Sequence, residues 1–236
     1  MTRLWIPVLA TTCGLVAAGA AQTTGAAGLL ARVDHLVYAT RDLNVGIEKL
    51  DTLLGVRATP GGQHPGRGTR NALISLGSSS YIEIIGPDPE QPKPDLPRTF
   101  GIDTLSQPRL VAWAANATDL TRLASTTRAE GIALGEVTAG SRRRPDGVLL
   151  TWQYTNPLVV VADGIVPFFI DWGTSPHPAQ SAARGASLVG LRAEHPDPDR
   201  VQKALRQLGL ELHVTKGQTP ALIATISSPR GRVELR

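Results

Sequence analysis

Two side chains in this 236-residue chain stand where spacing makes chemistry possible. His35 is in phase with Val33 and Val37, and Glu83 with Tyr81 and Ile85. If both segments are strands, each side chain lies on a largely apolar face that should turn inward. A carboxylate placed there needs a partner. Neutral imidazole with carboxylate is suitable ligand chemistry for zinc, manganese, iron or nickel, with water completing the sphere and made more acidic by the ion. The same pair can instead be a structural hydrogen bond. Two ligands are few, and His64 is the candidate third. It belongs to the string Gly61-Gly62-Gln63-His64-Pro65-Gly66-Arg67-Gly68-Thr69-Arg70-Asn71, whose glycines let backbone approach a ligand closely. That string also has a metal-free reading. Arg67 would hold a carboxylate or phosphate bidentately, beside His64, Thr69, Asn71 and a nest of backbone amides. A plain crossover loop is the remaining alternative, but the density of polar side chains favours binding.

These residues need elements to hold them. Residues 33–38 alternate and are rich in β-formers, which predicts a strand. Asp42 then opens a helix with Leu43, Ile47, Leu50 and Leu54 at helical spacing and Gly55 as its stop. The glycine-rich stretch 61–68 follows, then two short strand-like runs at 71–76 and 81–85. The order strand, Asp-started helix, glycine stop and strands recurs at 110–172 and again from 187 to 235, so three related units are expected. The proline-rich stretches 87–97 and 176–185 separate them. Units two and three lack an equivalent of His35: Ala112 or a neighbour and Val189 stand there, while Asp171 and Glu234 lie on the closing strands. Trp113, Trp152 and Trp172 are candidates for lining a cavity or for plain core. Arg142-Arg143-Arg144 beside Pro145-Asp146-Gly147 reads as a solvated turn, and His177, His195 and His213 as surface residues.

The strings Asp34-His35-Leu36-Val37-Tyr38, Gly61 through Asn71, Tyr81-Ile82-Glu83-Ile84-Ile85, Arg144-Pro145-Asp146-Gly147 and Pro167-Phe168-Phe169-Ile170-Asp171-Trp172 resemble the glyoxalase-like domain family of the vicinal oxygen chelate superfamily. The likeness covers roughly residues 33–178. The resemblance implies an α+β fold in which repeated βαβββ modules form a curled mixed-sheet cup. Chemistry would take place inside the cup, commonly at a divalent metal whose ligands stand on the first and last strands of the modules. It further implies metal ligands His35, Glu83 and His64, catalytic roles for Glu83 and His64, and substrate contacts from Arg67, Thr69, Asn71, Trp152 and Asp171. The missing counterparts in units two and three put a four-ligand arrangement in doubt. The expected activity is that of a metal-assisted lyase, isomerase or dioxygenase on a small oxygenated metabolite. The alternative is a non-catalytic binding protein that sequesters a small molecule in the same cup.

The rest of the sequence narrows the setting. A hydrophobic fraction of 42% supports a substantial core, and a formal net charge of +4 is too modest for this length to imply nucleic acid. Arg3, the uncharged run 4–20 and Ala18-Gly19-Ala20 read as a signal peptide over 1–20, followed by a linker 21–31. Export to a periplasmic or extracellular space is expected, with no membrane association once the leader is removed. The one cysteine, Cys13, lies in that leader, so the mature chain would have no thiol chemistry. The expected organisation is a glyoxalase-like domain over 32–178, with units at 32–87 and 109–173, and a third, shorter unit at 186–236 packed on it. A homodimer is possible, since such cups are completed within one chain or across two. No nucleotide-binding glycine fingerprint, nucleophile elbow, HExxH or CxxC pair occurs.

Overall fold

The computed structural model describes residues 28–236. The expected leader, its cleavage site, Cys13 and most of the 21–31 linker lie outside the described residues. The first module runs β1 (Val33–Ala39), α1 (Leu43–Leu54), β2 (Thr59–His64), β3 (Thr69–Ser75) and β4 (Tyr81–Pro87). The second repeats that order with β5 (Arg109–Asn116), α2 (Leu120–Ala129), β6 (Val137–Arg143), β7 (Leu149–Thr155) and β8 (Phe168–Asp171). Together they make one mixed sheet of eight strands in the order β2-β3-β4-β1-β5-β8-β7-β6. Each module pairs its first and last strands in parallel, and the modules join antiparallel through β1 and β5. The sheet curls into a nearly closed cup, so the α+β class and the paired-module cup expected from the sequence are both present.

Local chemistry explains the elements that the sequence announced. Asp42 caps α1 by accepting the Asn44 amide at 2.8 Å, and Gly55 ends it in the left-handed region at φ 68°. Leu43, Leu50 and Leu54 are buried against the sheet, each stabilising the fold by about 1.5–3 kcal/mol. Two strands carry no such signal. β2 and β6 have the sequences TPGGQH and VTAGSRR, which lack apolar alternation. Residues 61–64, read as part of a loop, are a strand because β3 supplies the hydrogen bonds, with a bulge between Pro60 and Gly62.

The cup closes where β2 meets β6. Gly62 has φ 142°, and a Cβ there would overlap the Arg143 carbonyl oxygen and press on the Arg142 side chain. Arg142 is buried, donating to the Gly61 carbonyl. The reading of 142–144 as a solvated run is therefore corrected for Arg142. Strand alternation sends it inward, while Arg143 is exposed and Arg144 pairs with Asp146.

The last segment comprises β9 (Ser187–His195), α3 (Pro198–Gln207), β10 (His213–Lys216), β11 (Ala221–Ser228) and β12 (Gly231–Leu235). Its element order matches the modules, but its sheet does not: β9 lies between β10 and β11. It packs on the outer face of the cup, where Leu191, Leu205 and Leu222 share a continuous core with Leu36, Ile82 and Trp113. Trp113 is thus core, its indole donating to the Ile165 carbonyl at 2.8 Å. No helix among the described residues is long and apolar enough to cross a membrane.

Gly62→Ala should lower stability by at least about 2 kcal/mol, since a disallowed backbone and a backbone clash add. Gly147→Ala, with φ 87° and open space around it, should cost only about 1–2 kcal/mol. Urea denaturation of both variants measures the difference.

Candidate functional site

The cup encloses a cavity of about 270 Å³ whose lining includes His35, His64, Arg67, Asn71, Glu83 and Arg142. Behind His35 in its lining stands a buried carboxylate. Asp34 receives the His35 ring at Oδ1 (2.7 Å), and the Trp172 indole (3.0 Å) and the His177 ring (3.2 Å) at Oδ2. Burial alone would raise its pKa, but the hydrogen bonds from His177 and His35 outweigh this and hold it below the usual carboxylate range. An ionised Asp34 only accepts, so Nδ1 of His35 must carry a proton, and in the neutral ring this leaves the lone pair on Nε2. His177 accepts the Ala179 amide at Nδ1, so its Nε2–H donates to Asp34. The His35 ring is further fixed by stacking on Tyr81 at 4.8 Å and by an edge contact with Phe168 at 5.5 Å.

Glu83 stands between two imidazoles. Its Oε2 lies 3.8 Å from His35 Nε2, and its Oε1 lies 3.6 Å from His64 Nε2. Asn71 sets this arrangement by donating to Glu83 Oε1 at 2.6 Å and to His64 Nε2 at 3.2 Å. His64 then donates from Nδ1 to Thr69 at 3.0 Å. Burial lowers the His64 pKa to about 4, with Glu83 opposing and Arg142 and Arg67 reinforcing the shift. His64 is therefore neutral at physiological pH, with both nitrogens occupied. Asn71 Oδ1 is buried without a hydrogen-bond partner, and a Cβ at Gly61 would collide with it. Glycine at 61 is what leaves room for the amide that orients Glu83.

Positive charge enters from two sides. Arg142 puts a buried guanidinium near Glu83 and Tyr81; burial pulls its pKa down, and Tyr81 and Glu83 oppose this. Arg67 is half-buried and donates to the Tyr154 hydroxyl at 2.6 Å, with its guanidinium carbon 6.0 Å from that ring. Among the described residues Arg67 forms no ion pair, so its remaining donors can meet an anion in the cup. Trp152 and Trp172, 5.1 Å apart, complete an aromatic wall.

Of the residues singled out from the sequence, His35, His64, Arg67, Thr69, Asn71, Glu83 and Trp152 all line this cavity. Asp171 does not: its carboxylate accepts the Gly173 amide and shapes the turn after β8. Glu234 pairs with Arg192 away from the cup. Asp34, Tyr81, Tyr154, Arg142 and His177 join the site without a sequence signal that marks them for it. Asp34 is out of phase with His35 on an alternating strand, beside a register shift between Val33 and His35, and it joins the site through its bonds to the His35, Trp172 and His177 side chains. His177 and His195, read as surface residues, are corrected. The first is half-buried on Asp34; the second is buried, bonding Asp163 and accepting the Asp197 amide. His213 is exposed.

The side chains present do not make a resident divalent-metal site. Atoms bound to one ion at about 2.1 Å sit roughly 3 Å apart, and His35 Nε2 with Glu83 Oε2 approaches that. The third candidate, His64 Nε2, faces the other carboxylate oxygen and is held by Asn71. From the second module, Ala114 lies opposite His35 and Phe168 and Ile170 reach the floor, placing carbon where further ligands would stand. Among the described residues no group of three His, Cys, Asp or Glu side chains is arranged to hold a metal. Arg142 instead brings a fixed cation beside the carboxylate.

Comparison with known proteins agrees with this architecture. A family model described as a glyoxalase-like domain matches residues 33–209. A crystal structure of a hypothetical protein from Staphylococcus aureus is similar at 15% identity, over 86% of this chain and 83% of that one, with a TM-score of 0.53. Methylmalonyl-CoA epimerase from Mycobacterium tuberculosis matches at 22% identity, over 61% of this chain and 90% of that one, with a TM-score of 0.41. A variant of the Streptomyces coelicolor methylmalonyl-CoA epimerase, in complex with 2-nitronate-propionyl-CoA, matches at 20% identity over 60% and 96%, also at 0.41. No curated protein sequence matches. At these identities the structural likeness concerns the fold alone.

A pH dependence follows from His64. Its folded pKa, about 4, lies below the unfolded value of about 6.5, so the unfolded chain binds the extra proton between those values. Stability should therefore fall as pH drops from about 6.5 to about 4, by up to about 3 kcal/mol. Urea denaturation across that range should show this slope in the wild type and a shallower one in His64→Gln.

Proposed function

Because this chain belongs to the glyoxalase-like domain family, we propose that its cup is a catalytic site, one that binds a small oxyanionic metabolite and moves a proton on it without a resident metal. One observation carries the reading: the His35 lone pair, aimed by Asp34, and the free oxygen of Glu83 lie 3.8 Å apart at the floor of a cavity that Arg67 enters. This suits proton transfer at a carbon next to a carbonyl, an isomerase- or lyase-type step. Arg67 holds the anionic end of the substrate. Glu83 takes the proton through Oε2, and the C–H electron pair passes to the carbonyl oxygen as an enolate. The buried Arg142 lowers the cost of negative charge in the cup. Return of the proton from Glu83 to the same face regenerates the substrate and is the exchange that solvent deuterium would report. Relay of the proton from Glu83 to His35 Nε2 through one water spanning the 3.8 Å gap, and its delivery to the opposite face, instead inverts that carbon in an isomerisation with no net change of atoms. His64 and Thr69 act as positioning residues, through Asn71. The aromatic wall favours a second reading, in which the same cup sequesters a flat ligand without turnover. Export through a leader over 1–20 belongs to the same proposal.

The test uses pyruvate, 2-oxobutyrate and a 2-oxoaldehyde–thiol adduct in D₂O, with deuterium incorporation read by NMR. Wild-type protein should exchange at least one of them, Glu83→Gln should lose about 10²-fold or more, and Arg67→Ala should raise KM about 10-fold or more. Binding without exchange would favour the sequestering role. Metal analysis by mass spectrometry belongs beside it. About one ion per chain, absent from His35→Ala/Glu83→Ala, would overturn the metal-free mechanism in favour of the chelate one.

A further inference from the structure

A second concavity adjoins the cup away from its tryptophan wall. Phe100, Pro157 and Phe168 line the cup on one side and, on the other, a groove of about 600 Å³. A chain of rings marks the boundary between them, with His35 in edge contact with Phe168 at 5.5 Å and Phe168 beside Phe100 at 5.9 Å. The groove is walled by the run Leu158, Val159, Val160 and Val161 and floored by Val111 and Val166. Leu158, Val159 and Val160 are 43%, 40% and 64% exposed, an apolar stretch in a loop where solvation would favour polar residues. The charged groups nearby are largely satisfied: Arg98 bonds Asp103 and the Gly68 carbonyl, and Asp163 bonds His195. Arg109 is exposed.

The backbone around the groove is held in place rather than relaxed. Phe100 (φ 62°), Ala162 (φ 47°) and Asp163 (φ 55°) are three of the four non-glycine residues in the left-handed region among the described residues. Such conformations persist only where the surroundings enforce them, and they cluster at ligand clamps. Here His195, from the last segment, grips Asp163 at 3.1 Å. Gly164 lets the loop press on β5, because a Cβ there would stand 2.5 Å from the Val111 carbonyl oxygen.

We propose that this groove binds the hydrocarbon chain of a ligand whose oxyanionic head occupies the cup, so that the substrate class is an aliphatic acid with a chain of several carbons. The head-group half rests on the reading of the cup above; the chain half rests on the groove alone. The shared boundary of Phe100, Pro157 and Phe168, which puts the groove directly beside the cup, is what commits the occupant to a single molecule that reaches across it.

The experiment is calorimetric titration with 2-oxoalkanoates from three to ten carbons, and with 1-alkanols of matched length that lack the head. In both series Kd should fall by about fourfold per methylene until the groove is filled. Leu158→Asn/Val160→Asn, at exposed positions that leave the core intact, should flatten that slope and leave pyruvate binding unchanged. Arg67→Ala should remove the preference for acids over alkanols and keep the slope. A flat chain-length series in the wild type, a slope untouched by the double variant, or no binding of either series overturns the groove. A slope shared by acids and alkanols with no dependence on Arg67 overturns the head-group reading and leaves the groove standing.

Discussion

A carboxylate cannot stay ionised in a protein interior without compensation, and in this molecule the compensation for Asp34 organises the site. Its three donors come from β1, from the residue after β8 and from the linker that follows it. Both modules and the linker must therefore be docked before the charge is satisfied. The return is a single tautomer of His35. A neutral imidazole in water exchanges its proton between two nitrogens, whereas here the acceptor at Nδ1 leaves the lone pair at Nε2 facing the cavity. The orientation of His35 in the first module is thus set by contacts that the second module and the linker make.

The second constraint is close approach at the rim. β2 and β6 are the end strands of the eight-stranded order, and an edge left open would expose unpaired amides and carbonyls. Gly61 and Gly62 allow the two edges to come near enough for Arg142 to reach the Gly61 carbonyl. That one side chain links the closure of the cup to its electrostatics, because it also stands close to Glu83. The modules are consequently unequal partners. The first contributes His35, His64, Asn71 and Glu83. The second contributes a cation, an aromatic wall and apolar floor residues, where carbon stands in place of a second set of ligands.

The last segment bears on function indirectly. Its sheet covers the outer face of the cup and shares its core, while His195 anchors the loop that carries Asp163. A histidine buried with an acceptor on one nitrogen and a donor on the other is a structural strut, and its position links a segment without cavity residues to the loop that walls the groove beside the cup.

Much is legible in the sequence wherever one residue type imposes a local outcome. Asp42, Asp119 and Asp197 cap their helices. Alternating apolar residues mark β1, β4 and β5. The paired-module cup follows from their order and from strings shared with a known family. The convergence of His35, His64, Asn71 and Glu83 follows from phase and from glycine density. What required the tertiary structure was every feature that depends on a partner far along the chain. β2 and β6 are strands through their neighbours' hydrogen bonds. Arg142 is buried through alternation on a strand the sequence does not announce. His177 meets a carboxylate 143 positions away. The topology of the last sheet departs from an element order that matches the modules. The physical reason is the same in each case: a side chain's own preferences act over a few residues, whereas burial of charge and the pairing of sheet edges are decided only by what the rest of the fold brings alongside.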